Sequence, residues 1–322
     1  TTWPLDATDI AVIGNGNVAL DVARILAKHP HDLLPTDIPA NVHESLVGSP
    51  VTDVHVFGRR GPAHVKFTPI ELRELGDIPD VDIVVYPEDF ANDEHSEQLV
   101  ASNNQLKVMT RTLRGWLDRE PTGASRRLHL HFLHTPVEVY GDGRVEGMRF
   151  ARTELDRDGS LRETGEVVDY PLQAVYRAVG YFGSALPDVP FDEERGVISN
   201  DEGRVVAADG AVIPGLYATG WIKRGPVGLI GHTKSDAAET IAHLLGDADA
   251  LAAAADIDPS DVVELLDARD VHYTTWDGWL TLDAHERALG AADESDTDRE
   301  RVKVVPRDEQ VGIARDSALF AR

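Results

Sequence analysis

The stretch from Asp9 to Ala19, which reads DIAVIGNGNVA, decides the fold of this chain. The first five residues, Asp9–Ile13, have the short apolar pattern of a buried strand, and a glycine follows at once. From Val18 to Lys28 apolar residues recur at helical spacing, and Pro30 ends the predicted helix. A strand, a glycine-rich turn and a helix in direct succession predict the first unit of a parallel α/β sheet.

The glycine-rich turn matches the pattern G-x-G-x-x-A. In this pattern Gly14 permits the tight turn, Gly16 lets a pyrophosphate approach the backbone, and Ala19 lets the helix pack closely on its strand. The free N–H groups of Asn17 and Val18, together with the helix dipole, attract an anion. The turn therefore predicts a Rossmann-like dinucleotide-binding domain. The alternative interpretation is a glycine-rich β–α turn that binds no ligand.

The next predicted strand, residues 51–57, ends in a basic turn that reads GRRGP from Gly58 to Pro62. A site for NAD usually carries an Asp or Glu here, which binds the ribose 2′-hydroxyl. Arg59 and Arg60 stand there instead, and guanidinium groups bind phosphate through paired hydrogen bonds. The turn therefore favours NADP(H) over NAD(H). The alternative is a solvated basic turn, and an irregular insertion over residues 31–50 explains the long gap between the two motifs.

Further strands and helices follow in the first 180 residues. We predict a helix over Thr68–Leu75, with Thr68 as its N-cap, then a strand over Val81–Tyr86 and one long helix over Glu94–Leu117. A run of strands without intervening helices predicts an antiparallel β-meander insertion, over residues 128–133, 137–140, 145–155, 167–170 and 174–178. The pattern fits a parallel sheet flanked by a β-meander.

A second domain is predicted after a stretch rich in glycine and proline over residues 180–190. We divide the chain into residues 1–181, an NADP-binding domain, and residues 182–322. The second part contains a strand that leads into a glycine turn at residues 215–220, and a helix over residues 228–245. Residues 256–290 are predicted to be largely helical.

Composition excludes several classes of function. The 322 residues carry a formal net charge of −25, which repels phosphate backbones and argues against nucleic-acid binding. The absence of cysteine excludes thiol chemistry and cysteine-ligated clusters within this chain. No apolar run is long enough for a membrane helix, and we expect a cytoplasmic protein. No catalytic nucleophile is evident, and His129, His131 and His134 are interpreted as one face of a strand rather than as metal ligands.

A third motif supports a family resemblance. The segment from Trp221 to Gly231, which reads WIKRGPVGLIG and follows Ala218-Thr219-Gly220, resembles the carboxy-terminal flavin-binding motif of the adrenodoxin reductase-like ferredoxin–NADP reductases. The two motifs described above also resemble that family, as does the Trp276-x-x-Trp279 pattern with residues 283–286. The resemblance implies the carboxy-terminal part of an FAD-binding domain, with a helical tail, in residues 182–322.

The resemblance implies FAD and NADP as cofactors, and it implies a hydride transfer between NADPH and FAD. Single electrons would then pass to a ferredoxin, an acidic iron–sulfur protein. Contacts with NADP are implied at Asn15, Gly16, Asn17, Val18, Arg59, Arg60 and Glu71. Contacts with FAD are implied at Trp221, Gly228, Leu229 and Ile230, with Gly228 also near the nicotinamide. Lys223, Arg224 and the arginine pair are candidates for a basic patch that meets the ferredoxin.

One departure from the family keeps alternatives open. Family members have a separate amino-terminal G-x-G-x-x-G for FAD, and we expect this chain to lack that half. The chain is then a ferredoxin–NADP reductase that is incomplete on its own. A second reading is an NADPH-dependent flavin reductase that serves another acceptor, similar to the small subunit of glutamate synthase. A third is an NADP-binding fragment without catalysis.

Overall fold

The structure, a computed structural model, describes residues 5–90, 94–226, 230–251 and 260–315, without the side chains of residues 230–232 and 261. Its residues divide into two compact units, the first formed by residues 1–179 together with 272–322 and the second by residues 180–271. Across the described residues, no helix is both long and apolar enough to span a lipid bilayer.

The first unit is built on alternating strands and helices. Its strands are β1 (Asp9–Ile13), β2 (Asp53–Phe57), β3 (Val81–Val85), β4 (Arg126–His131), β5 (His134–Tyr140), β6 (Gly147–Leu155), β7 (Leu161–Tyr170) and β8 (Ala174–Arg177). Its helices before residue 180 are α1 (Asn17–Ala27), α2 (Ala40–Val47), α3 (Pro69–Gly76), α4 (Glu94–Ser102) and α5 (Asn104–Leu117). The predicted α/β class is confirmed.

A parallel sheet in the order β3-β4-β2-β1-β8 forms the centre of this unit. Every neighbouring pair in it is parallel, with Ile13 opposite Phe57 and Phe57 opposite His131. Because the carboxyl ends of parallel strands meet at one edge, the turns that follow β1 and β2 lie side by side. This edge therefore brings the glycine-rich turn and the arginine pair together.

The two faces of the sheet are covered differently. Alternate residues of a strand point to opposite faces, so Val54 faces the helices while Phe57 faces the other way. The helical side buries residues of α1, α3 and α5 against the sheet, among them Leu20, Leu72 and Leu113. The opposite side is covered by the antiparallel β5-β6-β7 meander, where the ring of Phe150 stacks on that of Phe57 at 4.1 Å between centroids.

Two strands that we predicted to belong to the meander are members of the parallel sheet. The strand predicted over residues 128–133 is β4, which pairs in parallel with both β2 and β3. The strand predicted over residues 174–178 is β8, which pairs in parallel with β1. Both predictions of antiparallel pairing were wrong, because pairing partners depend on contacts far apart in sequence. The meander itself is formed by β5, β6 and β7.

The predicted long helix over residues 94–117 is interrupted at Asn103. The Asn103 side chain accepts hydrogen bonds from the backbone N–H groups of Gln105 and Leu106 and so caps α5. This cap ends α4 at Ser102 and makes two helices from one continuous apolar pattern. The helix predicted over residues 68–75 is present as α3, with Thr68 at its N-cap position and Pro69 first in the helix.

The second unit consists of short strands and helices. It contains β9 (Phe191–Asp192), β10 (Val197–Ile198), β11 (Asn200–Asp201), β12 (Arg204–Val206), β13 (Val212–Tyr217), α6 (Trp221–Arg224), α7 (Ile230–Asp247) and α8 (Ser260–Ala268). Strands β11, β12 and β13 form one antiparallel sheet in that order, and β9 pairs with β10. A small core around Ile198, Val205 and Ala218 lies beside the turn that follows β13.

The last described helices, α9 (Trp276–Ala291) and α10 (Arg307–Arg315), belong to the first unit rather than to the second. Arg299 donates a hydrogen bond to the carbonyl oxygen of Ile38 at 2.8 Å, and Arg301 donates one to Asp37 at 3.1 Å. The buried carboxylate of Glu286 accepts the backbone N–H of Val304 at 3.0 Å. The helical tail therefore packs with residues 1–179, whereas our division of the sequence placed it with residues 182–322. The functional assignment of both domains stays a prediction.

Candidate functional site

Gly14 directly follows β1 and has a backbone conformation that favours glycine. Its φ angle is +138°, a value that other residues rarely adopt. Its N–H donates to the carbonyl oxygen of Phe57 at 2.9 Å, which ties the turn to the end of β2. A side chain at this position would overlap the carbonyl oxygen of Ala178, beyond β8. The turn therefore depends on glycine for both its conformation and its close packing.

Gly16 is the N-cap of α1 and has a different environment. Its φ of −101° suits any residue, and a Cβ placed on it would find the Cβ of Lys66 as its nearest neighbour, 4.0 Å away. The first helical bond is donated by Leu20 to the carbonyl of Gly16, so the N–H groups of Asn17 and Val18 have no acceptor within the helix. The first turn of α1 carries no acidic residue. The space above Gly16 and the free N–H groups fit an approaching phosphate.

Asn15 and Asn17 fix the segment that lies beside the turn. The carbonyl oxygen of Asn15 accepts the N–H of Lys66 at 3.0 Å, and the side-chain oxygen of Asn17 accepts the N–H of Thr68 at 3.1 Å. The side chain of Asn15 also lies against Gly58, where a Cβ would come within 3.1 Å of its amide nitrogen. The two asparagines thus connect the glycine-rich turn to the chain that follows β2.

The backbone of the arginine pair is fixed by hydrogen bonds, whereas both arginine side chains are exposed. The carbonyl oxygen of Arg59 accepts the hydroxyl of Thr153 at 3.0 Å, and that of Arg60 accepts the N–H of Leu133 at 3.4 Å. The guanidinium of Arg60 donates to the carbonyl of Gly159 at 3.2 Å. Among the residues described, the guanidinium of Arg59 has no hydrogen-bonding or ion-pair partner. Arg59 is therefore the more available of the two cations.

Glu71 lies in the first turn of α3, and one of its carboxylate oxygens is buried without a hydrogen-bond partner in the described part of the chain. The hydroxyl of Thr68, three residues earlier, is buried and unpartnered in the same way. Buried polar atoms without partners are rare and need an explanation. A carboxylate accepts hydrogen bonds from hydroxyl and amino groups, so Glu71 fits contact with a ribose or an adenine rather than with a phosphate.

The predicted flavin residues lie in the second unit. Trp221 begins α6 and is 42% exposed, with its ring 5.6 Å from that of Tyr181. Gly220, just before it, has a φ of +77° that favours glycine. Gly228 and Leu229 lie outside the described residues, and of Ile230 the structure describes only the backbone, which begins α7.

Asp236 organises the turn before Trp221, a role that we did not predict from the sequence. Its carboxylate accepts the N–H of Gly220 at 2.6 Å and lies 3.3 Å from the ammonium group of Lys223 and 3.4 Å from the guanidinium of Arg224. Burial raises the pKa of this carboxyl, but these hydrogen bonds and charges outweigh burial and lower it overall. The sequence feature that could have indicated this role is an acidic residue in a helix that follows a glycine turn.

Lys223 does not belong to a surface patch. It is 6% exposed, and besides Asp236 its ammonium group contacts Glu239 at 2.5 Å and the hydroxyl of Thr240 at 3.2 Å. The prediction that Lys223 helps to form a basic surface for a ferredoxin was therefore wrong. The physical reason is that the carboxylates of Asp236 and Glu239, 13 and 16 positions later, pair with this side chain in the folded chain.

A cluster of imidazoles lies between the parallel sheet and the meander. His55, His129 and His131 each place a nitrogen within 4.8 Å of the others. His129 uses both nitrogens, one for Asp53 at 2.8 Å and one for the hydroxyl of Tyr86 at 2.7 Å. His55 and His131 face each other at 2.9 Å, the distance of a shared hydrogen bond. Each of the three imidazoles therefore has a hydrogen-bond partner, although one nitrogen from each also lies close enough to the others for a shared ion.

Burial keeps the imidazoles of this cluster, and that of the neighbouring His134, neutral. Desolvation lowers the pKa of His55 to about 3 and that of His134 to about 4, and it lowers the pKa of His131 well below its ordinary value. Asp89, which is bonded to Arg152 beside His134, is affected in the opposite sense, since burial raises the pKa of its carboxyl to about 6. The cluster thus holds the two sheets together without charge on its rings at neutral pH.

Eight of the twelve predicted site residues lie in the first unit, around the carboxyl ends of β1 and β2. They are Gly14, Asn15, Gly16, Asn17, Val18, Arg59, Arg60 and Glu71. Together they offer an open space at a helix N-terminus, a pair of guanidinium groups and a carboxylate oxygen without a partner among the described residues. This set can bind an extended molecule with two separate phosphate groups and a sugar.

Comparisons with known proteins agree with this geometry. No model of a protein family matches the chain. It is 41% identical over 297 residues to the NADPH-ferredoxin reductase FprA of Mycobacterium tuberculosis, and the match covers 89% of this chain and 64% of that protein. It is 37% identical over 303 residues to the mitochondrial NADPH:adrenodoxin oxidoreductase of Bos taurus, covering 89% and 61% respectively.

A solved structure, that of Mycobacterium tuberculosis FprA in complex with NADPH, matches with a TM-score of 0.85 and 39% sequence identity. That match covers 97% of this chain and 68% of the other. The chain thus spans less than two thirds of the length of the curated relatives named here.

Proposed function

Because the chain belongs to the family of NADPH-ferredoxin reductases that includes FprA and adrenodoxin oxidoreductase, we propose that it binds NADP(H) at the glycine-rich turn and takes part in electron transfer to a ferredoxin. The observation that carries the nucleotide assignment is the position of the arginine pair. Arg59 and Arg60 stand at the end of β2, beside the open space above Gly16. That arrangement suits a dinucleotide with an additional 2′-phosphate.

In this proposal the predicted site residues of the first unit have separate roles. The N–H groups of Asn17 and Val18 bind the pyrophosphate, for which Gly16 leaves room. Arg59 and Arg60 bind the 2′-phosphate through their planar guanidinium groups, which donate paired hydrogen bonds. The unpartnered oxygen of Glu71 accepts a hydrogen bond from the adenosine part. Asn15 positions the neighbouring segment through Lys66 and thereby keeps the binding surface in shape.

The second unit is proposed to contribute to an FAD site through Trp221, Gly228, Leu229 and Ile230. Of these, Trp221 offers a half-exposed aromatic ring next to a glycine with positive φ. When bound, FAD supplies the exchange between hydride transfer and single-electron transfer. Trp221 would pack against the ring system, and Asp236 would hold the turn that presents Trp221 through its bond to Gly220.

A ferredoxin is the proposed electron acceptor, and NADPH the proposed donor. The relatives' names mention ferredoxin and adrenodoxin, which supports this partner. Two alternatives follow from the partial coverage of those relatives. The chain can serve another acceptor, or it can bind NADP(H) without catalysis. A cytoplasmic location stays a prediction.

The experiment has two readouts on the purified chain. Fluorescence titration with NADPH and NADH tests nucleotide binding, and we expect a preference for NADPH of at least about tenfold. Flavin absorbance and cytochrome c reduction, with and without added ferredoxin, test electron transfer. Equal affinity for both nucleotides would contradict the assignment of the arginine pair. NADPH binding without flavin would favour the alternative without catalysis, and reduction that ferredoxin does not accelerate would favour another acceptor.

A further inference from the structure

Lys66 lies directly beside the glycine-rich turn, although no sequence motif includes it. Its N–H donates to the carbonyl of Asn15 at 3.0 Å, and the N–H of Thr68, two residues later, donates to the side chain of Asn17 at 3.1 Å. These two bonds attach the segment over residues 66–68 to the segment over residues 15–17. The backbone of Lys66 is therefore fixed next to the N-terminus of α1.

Outside the immediate neighbourhood of Gly16, the Cβ of Lys66 is the nearest described atom to the space above this glycine. A Cβ built on Gly16 would lie 4.0 Å from it, and no other atom of the described residues outside the immediate neighbourhood of Gly16 comes within 4 Å. The flexible stem of a lysine that begins here can bring its ammonium group over the N–H groups of Asn17 and Val18. Lys66 thus borders the place where an anion fits the turn.

The charge of Lys66 is available to a ligand. The residue is exposed, and within the described ranges its ammonium group forms neither an ion pair nor a hydrogen bond. By contrast Arg24, further along α1, pairs with Asp21 and with Glu74. In a chain with a net charge of −25, an unpaired cation beside a helix N-terminus creates a locally favourable site for a negative group.

We propose that Lys66 binds the pyrophosphate of NADP(H), as a third cation that is separate in position and task from Arg59 and Arg60. The inference rests on the proposed function and adds a residue to it. The arginines provide planar forks for the terminal 2′-phosphate, whereas a lysine provides a mobile point charge. Since NADPH and NADH share the pyrophosphate, Lys66 contributes to affinity for both, and the arginine pair contributes to selectivity between them.

The test measures three probes on the 322-residue chain and its variants, namely NADPH, NADH and adenosine 2′-monophosphate. We expect Lys66→Met to weaken NADPH and NADH by the same factor, about three- to tenfold, because it keeps the stem and removes the charge. Binding of adenosine 2′-monophosphate, which has no pyrophosphate, stays unchanged. Lys66→Arg keeps both dinucleotides within about twofold of wild type. Lys28→Met, at the opposite end of α1, is the matched control and leaves all three unchanged.

The outcomes are distinguishable. Unchanged affinity of Lys66→Met for both dinucleotides would overturn the proposal, provided that its thermal midpoint shows a folded chain. Weaker binding of NADPH and adenosine 2′-monophosphate alone would also overturn it, because the lysine would then serve the 2′-phosphate. A wild-type chain that binds neither dinucleotide would contradict the proposed function itself, and with it any role of Lys66.

Discussion

The carbonyl oxygen of Ala178 occupies the space into which a side chain at Gly14 would point. The two residues follow β8 and β1, which are neighbours in the parallel sheet. We expect Gly14→Ala to lower the free energy of unfolding by at least about 2 kcal/mol, because alanine disfavours the φ of +138° and its methyl group overlaps this oxygen. Urea denaturation measures the change. An unfolding free energy equal to that of wild type would show that the turn can relax.

Gly16→Ala provides the matched comparison, since the two glycines are two positions apart. The backbone angles of Gly16 suit alanine, and outside the immediate neighbourhood of this position its methyl group meets no described atom closer than 4.0 Å. We expect the free energy of unfolding to change by less than about 0.5 kcal/mol. Affinity for NADPH should fall by about tenfold or more, because the methyl group occupies the space for the pyrophosphate. Calorimetric titration checks this, and undiminished affinity would exclude a phosphate above Gly16.

Arg59→Ala isolates the proposed contact with the 2′-phosphate. The Arg59 carbonyl, which holds the loop through Thr153, is unaffected by the substitution, so we expect the loop to keep its conformation. Binding of NADPH should weaken by about 1.5–3 kcal/mol and binding of NADH should barely change. Competition titrations with both nucleotides measure the difference. Arg144→Ala, an exposed arginine at the far end of the meander, is the control, and an equal loss for both nucleotides would contradict the assignment.

Asp236 and Lys223 form a buried pair that a double-mutant cycle can examine. Their side chains are 8% and 5% exposed, so removing one of the two residues leaves a buried charge without this partner. We expect Asp236→Leu to destabilise the second unit by about 3 kcal/mol. The double variant Asp236→Leu with Lys223→Met should lose less than the sum of the single variants. Thermal and chemical unfolding give these values. Strict additivity would show that the two charges do not depend on each other.

The stability of the first unit should fall as the pH falls from 6.5 to about 4. In the unfolded chain the imidazoles of His55, His131 and His134 have a pKa near 6.5, whereas burial keeps their pKa much lower in the folded chain. In this window the unfolded state therefore binds more protons, which costs up to about 1.4 kcal/mol per pH unit for each imidazole. Asp89, with its pKa raised to about 6, acts in the opposite direction and reduces the slope.

His131→Phe tests the origin of this slope. We expect the dependence of the unfolding free energy on pH to become flatter by the contribution of about one proton, as measured by urea denaturation between pH 4.5 and 6.5. The ring of His131 stacks on those of Phe57 and Tyr86, so a phenylalanine fits the same space. A slope that this substitution leaves unchanged would place the titrating groups elsewhere.

The sequence predicted local structure well because local structure depends on near neighbours. The strand–turn–helix unit at residues 9–27 has the predicted order, since both the apolar pattern and the glycine turn are contained in that stretch. Asn103 shows the limit of this reasoning. Its side chain caps α5 within a continuous helical pattern. The difference in free energy between such a capped break and an uninterrupted helix is small.

Pairing between distant segments could not be predicted in the same way. Strand β4 is inserted between β3 and β2, and Lys223 is buried by carboxylates of α7. Both outcomes depend on which segments meet in the folded chain, and a single sequence does not contain that information locally. The candidate site likewise contains residues that local motifs predict and a residue that only the folded chain brings there. The glycines and arginines follow from known motifs, whereas Lys66 is connected to them only by backbone contacts formed on folding.

The packing of the helical tail with the first unit has a consequence for synthesis in the cell. Residues 5–179 leave the ribosome before Arg299 and Arg301, which contact Ile38 and Asp37 and follow only after the whole of residues 180–271. At ordinary translation rates of about 5–20 residues per second, that interval lasts roughly 5–20 s. During it the surface around Asp37 lacks these two contacts and is exposed to chaperones and proteases, so the first unit reaches its final form only after the helical tail has been synthesised.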